Sequence, residues 1–425
     1  MKTEAGPALQ DGTVTSLQRI YLRIALACLV SLAYAALWVI NAKPLEVREH
    51  FYQSHFSFPA STPQAYGDLR YYLVWLDCVR AGAPTDQPCS LGSPIPWAYP
   101  TSWLLVAHTG LSVRHTTPAA ALLYIGLIAM ATYLCAPGSV SEVFYDALFL
   151  VSPPFVLALE RCNMDILIFL LLGLAVALAS RRAVLAAFGL VWVAAFLKIY
   201  PGVTWLAFIR KKRDVIAAGL GVATLVFYVE AIRAQLRFLY AILPQSEWES
   251  FGSPELFLIL AKKLETVGHP VRLLHSVIPV FAAAAFSIVV AILAFTFARR
   301  RIDMDLEPLD DISQYAFTVG GLVYCACWFL GMNFNYRYIF LVMTLPQAWT
   351  LVSARFRWRW AYGAYLLAAL AMAWLALFQY THPWIEIGHA LLGWLLYGVL
   401  LFTMILLYWR KVVAGLTKIN SSLTL

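Results

Sequence analysis

One short segment gathers several side chains that could do chemistry at the edge of an apolar run. Residues 159–165 read Leu-Glu-Arg-Cys-Asn-Met-Asp, which places Glu160, Arg161, Asn163 and Asp165 close together between two apolar stretches. An ionisable group beside hydrocarbon is costly unless it is paired or hydrated, so these residues are functional candidates. The alternative interpretation is a helix cap with an ion pair inside the segment.

Two further segments place a cation at the end of an apolar run. Lys198 precedes Tyr200 and Pro201, and the proline is expected to end the helix and leave the ammonium at the membrane boundary. Arg337 has amide and phenol neighbours, namely Asn333, Asn335 and Tyr336. Such cations can bind a phosphate, and amides can bind sugar hydroxyls. Snorkelling at the membrane surface is the alternative explanation.

A carboxylate, Asp68, lies in a separate polar stretch. The sequence from Tyr66 onward predicts an amphipathic helix that runs to about Arg80. A carboxylate at the start of a helix is favoured by the helix dipole. Asp68 is therefore either a group presented for chemistry or simply the N-cap of that helix.

The elements that position these groups must be membrane helices. Of the 425 residues, 61% are hydrophobic and 13% are charged, and the mean hydropathy is +0.72, which excludes a soluble fold. The apolar runs are continuous rather than alternating, which excludes a β-barrel. We predict an all-α polytopic membrane protein, one integral-membrane domain over 1–425, with about twelve transmembrane helices. These candidate spans begin near residues 21, 117, 143, 164, 183, 200, 214, 273, 313, 338, 360 and 388.

The distribution of charge predicts the topology. The net charge is +8, and the basic residues cluster in alternate loops, which indicates cytoplasmic termini rather than a nucleic-acid partner. The apolar stretch Trp97 to Val113 is short, so we predict an interfacial or re-entrant helix. The resulting segments are a cytoplasmic N-terminus (1–20), a first external loop with interfacial helices (41–116), core helices (117–232), a second external loop (233–272), and C-terminal helices with a cytoplasmic tail (273–425).

At these residues the chain resembles the GT-C superfamily of integral-membrane glycosyltransferases, and in particular the bacterial polyprenyl-phosphate-mannose-dependent group. Three features carry the resemblance: Asp68 followed by Ala98-Tyr99-Pro100, the turn at 160–165, and Leu197-Lys198-Ile199-Tyr200-Pro201. The later spans are similar only in number and apolar character. The chain departs from the pattern at Cys162, where a small residue is usual, and in having one acidic residue rather than an Asp-x-Asp pair.

The resemblance implies a hexosyltransferase, with mannose as the first candidate sugar. The donor would be a polyprenyl-phosphate sugar, and a lipid or glycan acceptor would be glycosylated with inversion at the periplasmic face of a bacterial inner membrane. Asp68 would be the general base, and Lys198, with Arg161 and Arg337 after it, would bind the donor phosphate. Sugar and acceptor hydroxyls would be bound by Glu160, Asn163, Asp165, Asn333, Asn335 and Tyr336.

Metal and cysteine chemistry complete the expectations. No His, Cys or carboxylate cluster has the spacing of metal ligands, so we expect neither a divalent metal nor a tightly bound cofactor. Cys78 and Cys89 share the predicted first external loop. In an oxidising compartment they could form a disulfide, or they could remain two free thiols.

Two other functions stay open on the sequence. A transporter or flippase of lipid-linked saccharide would also have many spans, but its charges should lie near the bilayer midplane. An enzyme like an O-antigen ligase or polymerase would place Arg and His residues in a late external loop. The segment 233–272 contains such residues, namely Arg233, Arg237, His269 and Arg272.

Overall fold

The computed structural model describes residues 15–56, 65–93, 95–242, 250–265, 277–299, 311–330, 333–353, 359–378 and 383–423. Within them the chain is almost entirely helical. The α-helices are α1 (Ser16–Asn41), α2 (Leu45–Phe56), α3 (Gly67–Arg80), α4 (Thr116–Cys135), α5 (Val140–Leu150), α6 (Pro153–Arg161), α7 (Asp165–Ser180), α8 (Val184–Leu197), α9 (Lys212–Ala231), α10 (Arg233–Ile242), α11 (Glu255–Glu265), α12 (Ile278–Arg299), α13 (Asp311–Leu330), α14 (Leu345–Ser353), α15 (Arg359–Leu375) and α16 (Pro383–Leu423).

Short 3-10 helices and two strands connect them. The 3-10 segments are Thr101–Thr109, Val113–His115, Tyr200–Phe208 and Asn335–Thr344. Strands β1 (Ser250–Phe251) and β2 (Asn333–Phe334) form an antiparallel pair, with Ser250 opposite Phe334 and Phe251 opposite Asn333. This pair attaches the segment before α11 to the segment that carries Arg337.

The protein is a multi-pass membrane protein, but the predicted count of about twelve spans is not confirmed. Among the described residues, six helices are long and apolar enough to cross a membrane, namely α1, α4, α9, α12, α13 and α16. The bent pair α5 and α6 would make a seventh. The helix α7 has 16 residues, which is about 24 Å at 1.5 Å per residue and less than the ~30 Å of hydrocarbon.

Prolines and 3-10 geometry explain the difference. Pro153 and Pro154 lack the N–H groups that would continue α5, and the chain bends by 50° between α5 and α6. The candidate spans near 200 and 338 begin instead as the 3-10 segments Tyr200–Phe208 and Asn335–Thr344. Hydropathy detects the apolar run in each case but does not show where the helix within that run is interrupted.

The first loop folds onto one end of the bundle. Its predicted amphipathic helix is α3, Gly67–Arg80, close to the expected bounds. The apolar stretch from Trp97 contains the 3-10 helix Thr101–Thr109 and is not among the candidate spans. Arg80 at the end of α3 donates to the carbonyls of Ala107 (2.7 Å) and Leu111 (2.6 Å), which fixes the two segments to each other.

A covalent link strengthens the same region. Cys78 near the end of α3 and Cys89 in the following loop are joined by a disulfide. Both cysteines are buried. The link closes a short loop directly after the helix that carries Asp68, so it restrains the chain on the C-terminal side of that helix.

Candidate functional site

Asp165, the first residue of α7, is the centre of a buried charge cluster. Lys198 Nζ lies 2.5 Å from Asp165 Oδ1, and the Tyr200 hydroxyl donates to the same oxygen at 2.6 Å. Arg337 Nε lies 3.2 Å from Oδ2. Together with Asp68 and Asn163, described next, these residues are called the Asp165 cluster below. It joins segments that are far apart in sequence, because their apolar runs end at the same end of the bundle.

Asn163 connects Asp165 to Asp68. Its amide oxygen accepts the backbone N–H of Asp165 at 2.8 Å, which satisfies a donor at the start of α7. Its amide nitrogen donates to Asp68 Oδ2. One side chain therefore fixes both the helix start and the orientation of the Asp68 carboxylate.

The turn before α7 explains why Asn163 can do this. Helix α6 ends at Arg161, and Cys162 adopts the left-handed conformation with φ of 48°. A residue with a Cβ is strained there, which is the physical reason that such a turn favours glycine. Asn163 follows this turn, and its side chain reaches Asp68 of the first loop.

Asp68 is the second residue of α3 and not its N-cap. The N-cap is Tyr66, whose backbone is left-handed and whose N–H donates to the carbonyl of Glu160 at 3.1 Å. Asp68 is partly exposed, whereas Asp165 is fully buried. Asp68 is therefore the carboxylate of the cluster that a substrate could reach.

The end of α8 presents Lys198. Lys198 itself follows Leu197 and has an extended backbone, so helix α8 ends at Leu197. The Lys198 ammonium contacts Asp165. The Lys198 Nζ atom also lies 5.9 Å from the centre of the Tyr99 ring. Burial, and next the negative charge of Asp68, hold the pKa of the Tyr99 phenol well above its usual range. Tyr99 is therefore a neutral neighbour of both charged groups.

The two arginines differ in their contacts. Arg337 contacts Asp165, and its guanidinium lies 5.2 Å from the centre of the Tyr200 ring. Arg161 lies outside this contact, with its guanidinium 5.6 Å from the centre of the Phe334 ring. Arg161 is therefore a neighbour of the segment that carries Arg337.

The remaining residues predicted to bind hydroxyls lie either on the segment that carries Arg337 or at the end of α6. Asn333 donates to the carbonyl of Cys327, Asn335 is buried, and the Tyr336 ring stacks on Phe334 with 5.4 Å between ring centres. Glu160 is also buried, and its carboxylate lies 3.6 Å from Arg48 of α2. Glu160 therefore contacts α2 through Arg48, and its expected role in sugar binding stays a prediction.

The cluster contains two cations that keep some exposure. One buried carboxylate, Asp165, is shared by two cations, Lys198 and Arg337, whose side chains are 12% and 19% exposed. Asp68 is the second carboxylate of the cluster, so the formal charges of the two cations and the two carboxylates cancel. Because Lys198 and Arg337 are partly open to their surroundings, they could contact a phosphate.

Sequence reasoning missed two members of this site. Tyr200 and Tyr99 both occur in the motifs that carry the family resemblance, but neither was assigned a role. The signal was available, since each is followed by a proline, and in the structure each proline lies at the start of a 3-10 helix. Within the residues that the structure describes, no group of three or more His, Cys, Asp or Glu side chains could hold a metal ion.

Comparison with known proteins does not place the chain in a family. No family model matches it, and no curated protein or solved structure matches it. The resemblance to membrane glycosyltransferases rests on the motifs alone and stays a prediction. Of the residues that suggest a ligase-like enzyme, His269 and Arg272 lie outside the described residues, and Arg233 pairs with Glu230 on an exposed surface.

Proposed function

We propose that the protein is a membrane glycosyltransferase that moves a hexose, mannose first, from a polyprenyl-phosphate donor to a lipid or glycan acceptor. The observation that carries the proposal is the partly exposed carboxylate of Asp68, bonded to Asn163 in the same cluster as two partly exposed cations, Lys198 and Arg337. A base and a phosphate-binding cation are the two groups that such a transfer needs.

In this proposal Asp68 removes the proton from the acceptor hydroxyl as its oxygen attacks the anomeric carbon. The bond from that carbon to the phosphate oxygen breaks on the opposite side, so the configuration inverts. The departing polyprenyl phosphate gains negative charge, which Lys198 and Arg337 stabilise, with Arg161 as a further cation nearby. No metal is required by this scheme, because the cations come from the chain.

The role of Asp165 changes from the one expected on sequence. Both of its oxygens accept from the cluster, at 2.5, 2.6 and 3.2 Å from Lys198, Tyr200 and Arg337. In the proposed reaction Asp165 therefore orients the cations and does not bind sugar. Asn333, Asn335 and Tyr336 keep the proposed role in binding hydroxyls.

The topology belongs to the same proposal. With both termini in the cytoplasm, the Asp165 cluster would face the periplasm of a bacterial inner membrane, where lipid-linked donors present their sugars. The basic residues in alternate loops support this orientation.

The proposal is tested with the purified protein in liposomes that contain a short-chain polyprenyl phosphate carrying radiolabelled mannose. Glucose and galactose donors and extracted membrane lipids as acceptors complete the assay, with protein-free liposomes as control. We expect the label to move to an acceptor with inverted anomeric configuration. Donor that crosses the bilayer uncleaved would indicate a transporter instead, and donors that stay intact with every sugar and acceptor would contradict the proposal.

A further inference from the structure

The side-chain amide of Gln235 joins two distant parts of the chain. Gln235 lies on α10, directly after α9, and is partly buried. Its Nε2 donates to the carbonyl of Tyr99 at 2.9 Å, and its Oε1 accepts the backbone N–H of Thr101 at 3.2 Å. One amide thus makes both a donor and an acceptor bond to the same short stretch of backbone.

The backbone at this point needs such a partner. The residue between Tyr99 and Thr101 is Pro100, which has no N–H and is the N-cap of the 3-10 helix without a side-chain capping bond. The first N–H of a helix has no partner within the helix. Gln235 supplies that partner from outside, so it acts as a cap provided by another helix.

The same stretch is held from its other side by the end of α8. Ser102 donates to the carbonyl of Phe196 at 2.6 Å, and the Trp103 indole donates to the carbonyl of Leu197 at 2.7 Å. These are the two residues that precede Lys198. Residues 99–103 are therefore fixed between α10 and the point where α8 presents Lys198.

Tyr99 carries the connection to the charge cluster. Its carbonyl is the acceptor for Gln235, and the centre of its ring lies 5.9 Å from Lys198 Nζ. A cation near an aromatic face is attracted to it, most strongly where water is excluded. The position of the Tyr99 ring therefore restrains the position of the Lys198 ammonium.

We propose that Gln235 is a positioning residue that acts through Tyr99 on Lys198 and so sets the affinity of the site for the phosphate of a polyprenyl-phosphate lipid. The identity of this ligand rests on the proposed function. The contact connects α10 to the phosphate site through the backbone of Tyr99 and Thr101. Movement of α10 away from residues 99–103 would loosen the hold on Lys198.

The test replaces Gln235 with methionine, which keeps the length and bulk of the side chain and removes both hydrogen bonds. Gln53→Met is the matched control, because the Gln53 amide is exposed and bonds only one turn back, to Glu49. Full-length proteins are compared by hydrogen–deuterium exchange over residues 99–103 and by the dissociation constant for a C20 polyprenyl phosphate in liposomes.

We expect Gln235→Met to accelerate exchange at Thr101 and to weaken lipid binding about tenfold, with Gln53→Met unchanged on both counts. Transfer kinetics should show this as a raised KM with little change in kcat. In a Lys198→Met background the effect of Gln235→Met on binding should largely disappear, since Gln235 acts through that lysine.

Two results would overturn the inference. Unchanged exchange at residues 99–103 would show that the amide does not hold this stretch, whatever the binding assay gives. An equal loss of affinity in the Lys198→Met background would show that Gln235 acts on folding rather than through Lys198. A third outcome concerns the proposed function. If the wild type binds no polyprenyl phosphate but Gln235→Met still accelerates exchange, the proposed function is refuted and the Gln235 contact stands.

Discussion

Two buried carboxylates at the ends of one turn, Glu160 and Asp165, have different surroundings. Glu160 pairs with Arg48 at 3.6 Å, and the two side chains are 0% and 1% exposed. Asp165 is equally buried, but its partners Lys198 and Arg337 keep 12% and 19% exposure. The two carboxylates therefore differ in their partners. Glu160 lies in a fully buried ion pair, whereas Asp165 contacts two cations that are partly exposed.

The difference lies in where the partners come from. Arg48 belongs to α2, a helix of the first loop, so its pair with Glu160 joins two neighbouring segments of the bundle end. Lys198 and Arg337 come from breaks in later apolar runs, where an extended residue and a 3-10 segment interrupt regular helix. Broken helices leave side chains that are buried on one side and accessible on the other, which is what a binding site requires.

The largest effect on stability is expected from Glu160→Gln. Glu160→Gln removes the negative charge 3.6 Å from the buried Arg48 guanidinium, and breaking a buried ion pair costs about 3–5 kcal/mol in the free energy of unfolding. Glu46→Gln on the exposed face of α2 is the control. Thermal unfolding in detergent measures the loss, and the protein that remains folded should bind donor normally.

A paired replacement sharpens this prediction. Arg48→Met combined with Glu160→Met should restore most of the lost stability, because an apolar pair of similar volume carries no desolvation cost. If Glu160→Gln instead kept full stability and bound donor more weakly, Glu160 would belong to the substrate-binding site.

Lys198→Met should have the opposite profile. Asp165 keeps Arg337 and Tyr200 as partners, so stability falls less than in Glu160→Gln, whereas donor turnover falls about a hundredfold because a phosphate-binding cation is lost. Steady-state transfer kinetics measure the effect, with Lys43→Met, an exposed lysine between α1 and α2, as control. Unchanged turnover would exclude Lys198 from the phosphate site.

Tyr200→Phe is the smallest change. It removes one hydrogen bond, of 2.6 Å, to a carboxylate that retains two cations. We expect about a tenfold loss of turnover, since the Asp165 carboxylate then orients Lys198 less well. Tyr21→Phe, at an exposed position, is the control. A loss as large as that of Lys198→Met would mean that the phenol itself contacts substrate.

The sequence indicated which charged residues belong to the site better than it indicated how they are arranged. Glu160, Asp165, Lys198 and Arg337 could be selected because ionisable groups are rare and costly beside apolar runs. The division between Glu160 and Asp165 could not be predicted, because it depends on Arg48, a residue in a polar stretch that would be expected on the surface.

The predicted number of spans is not confirmed for a related reason. The runs near 200 and 338 have the hydropathy of membrane helices, and hydropathy does not distinguish α from 3-10 geometry. The bend before α6 was signalled by Pro153 and Pro154, but the direction of the chain after a bend is set by packing. The helix α3 was predicted more closely because its amphipathic pattern marks both ends.

The central claim is that Asp68 is the base of a transfer reaction supported by the Asp165 cluster. Single-turnover transfer with donor already bound tests it most directly, comparing Asp68→Asn with Asp86→Asn, an exposed carboxylate of the same loop. We predict that Asp68→Asn binds donor with unchanged affinity and transfers sugar about 10²–10⁴-fold more slowly, whereas Asp86→Asn behaves as wild type. Transfer by Asp68→Asn at the wild-type rate would contradict the account.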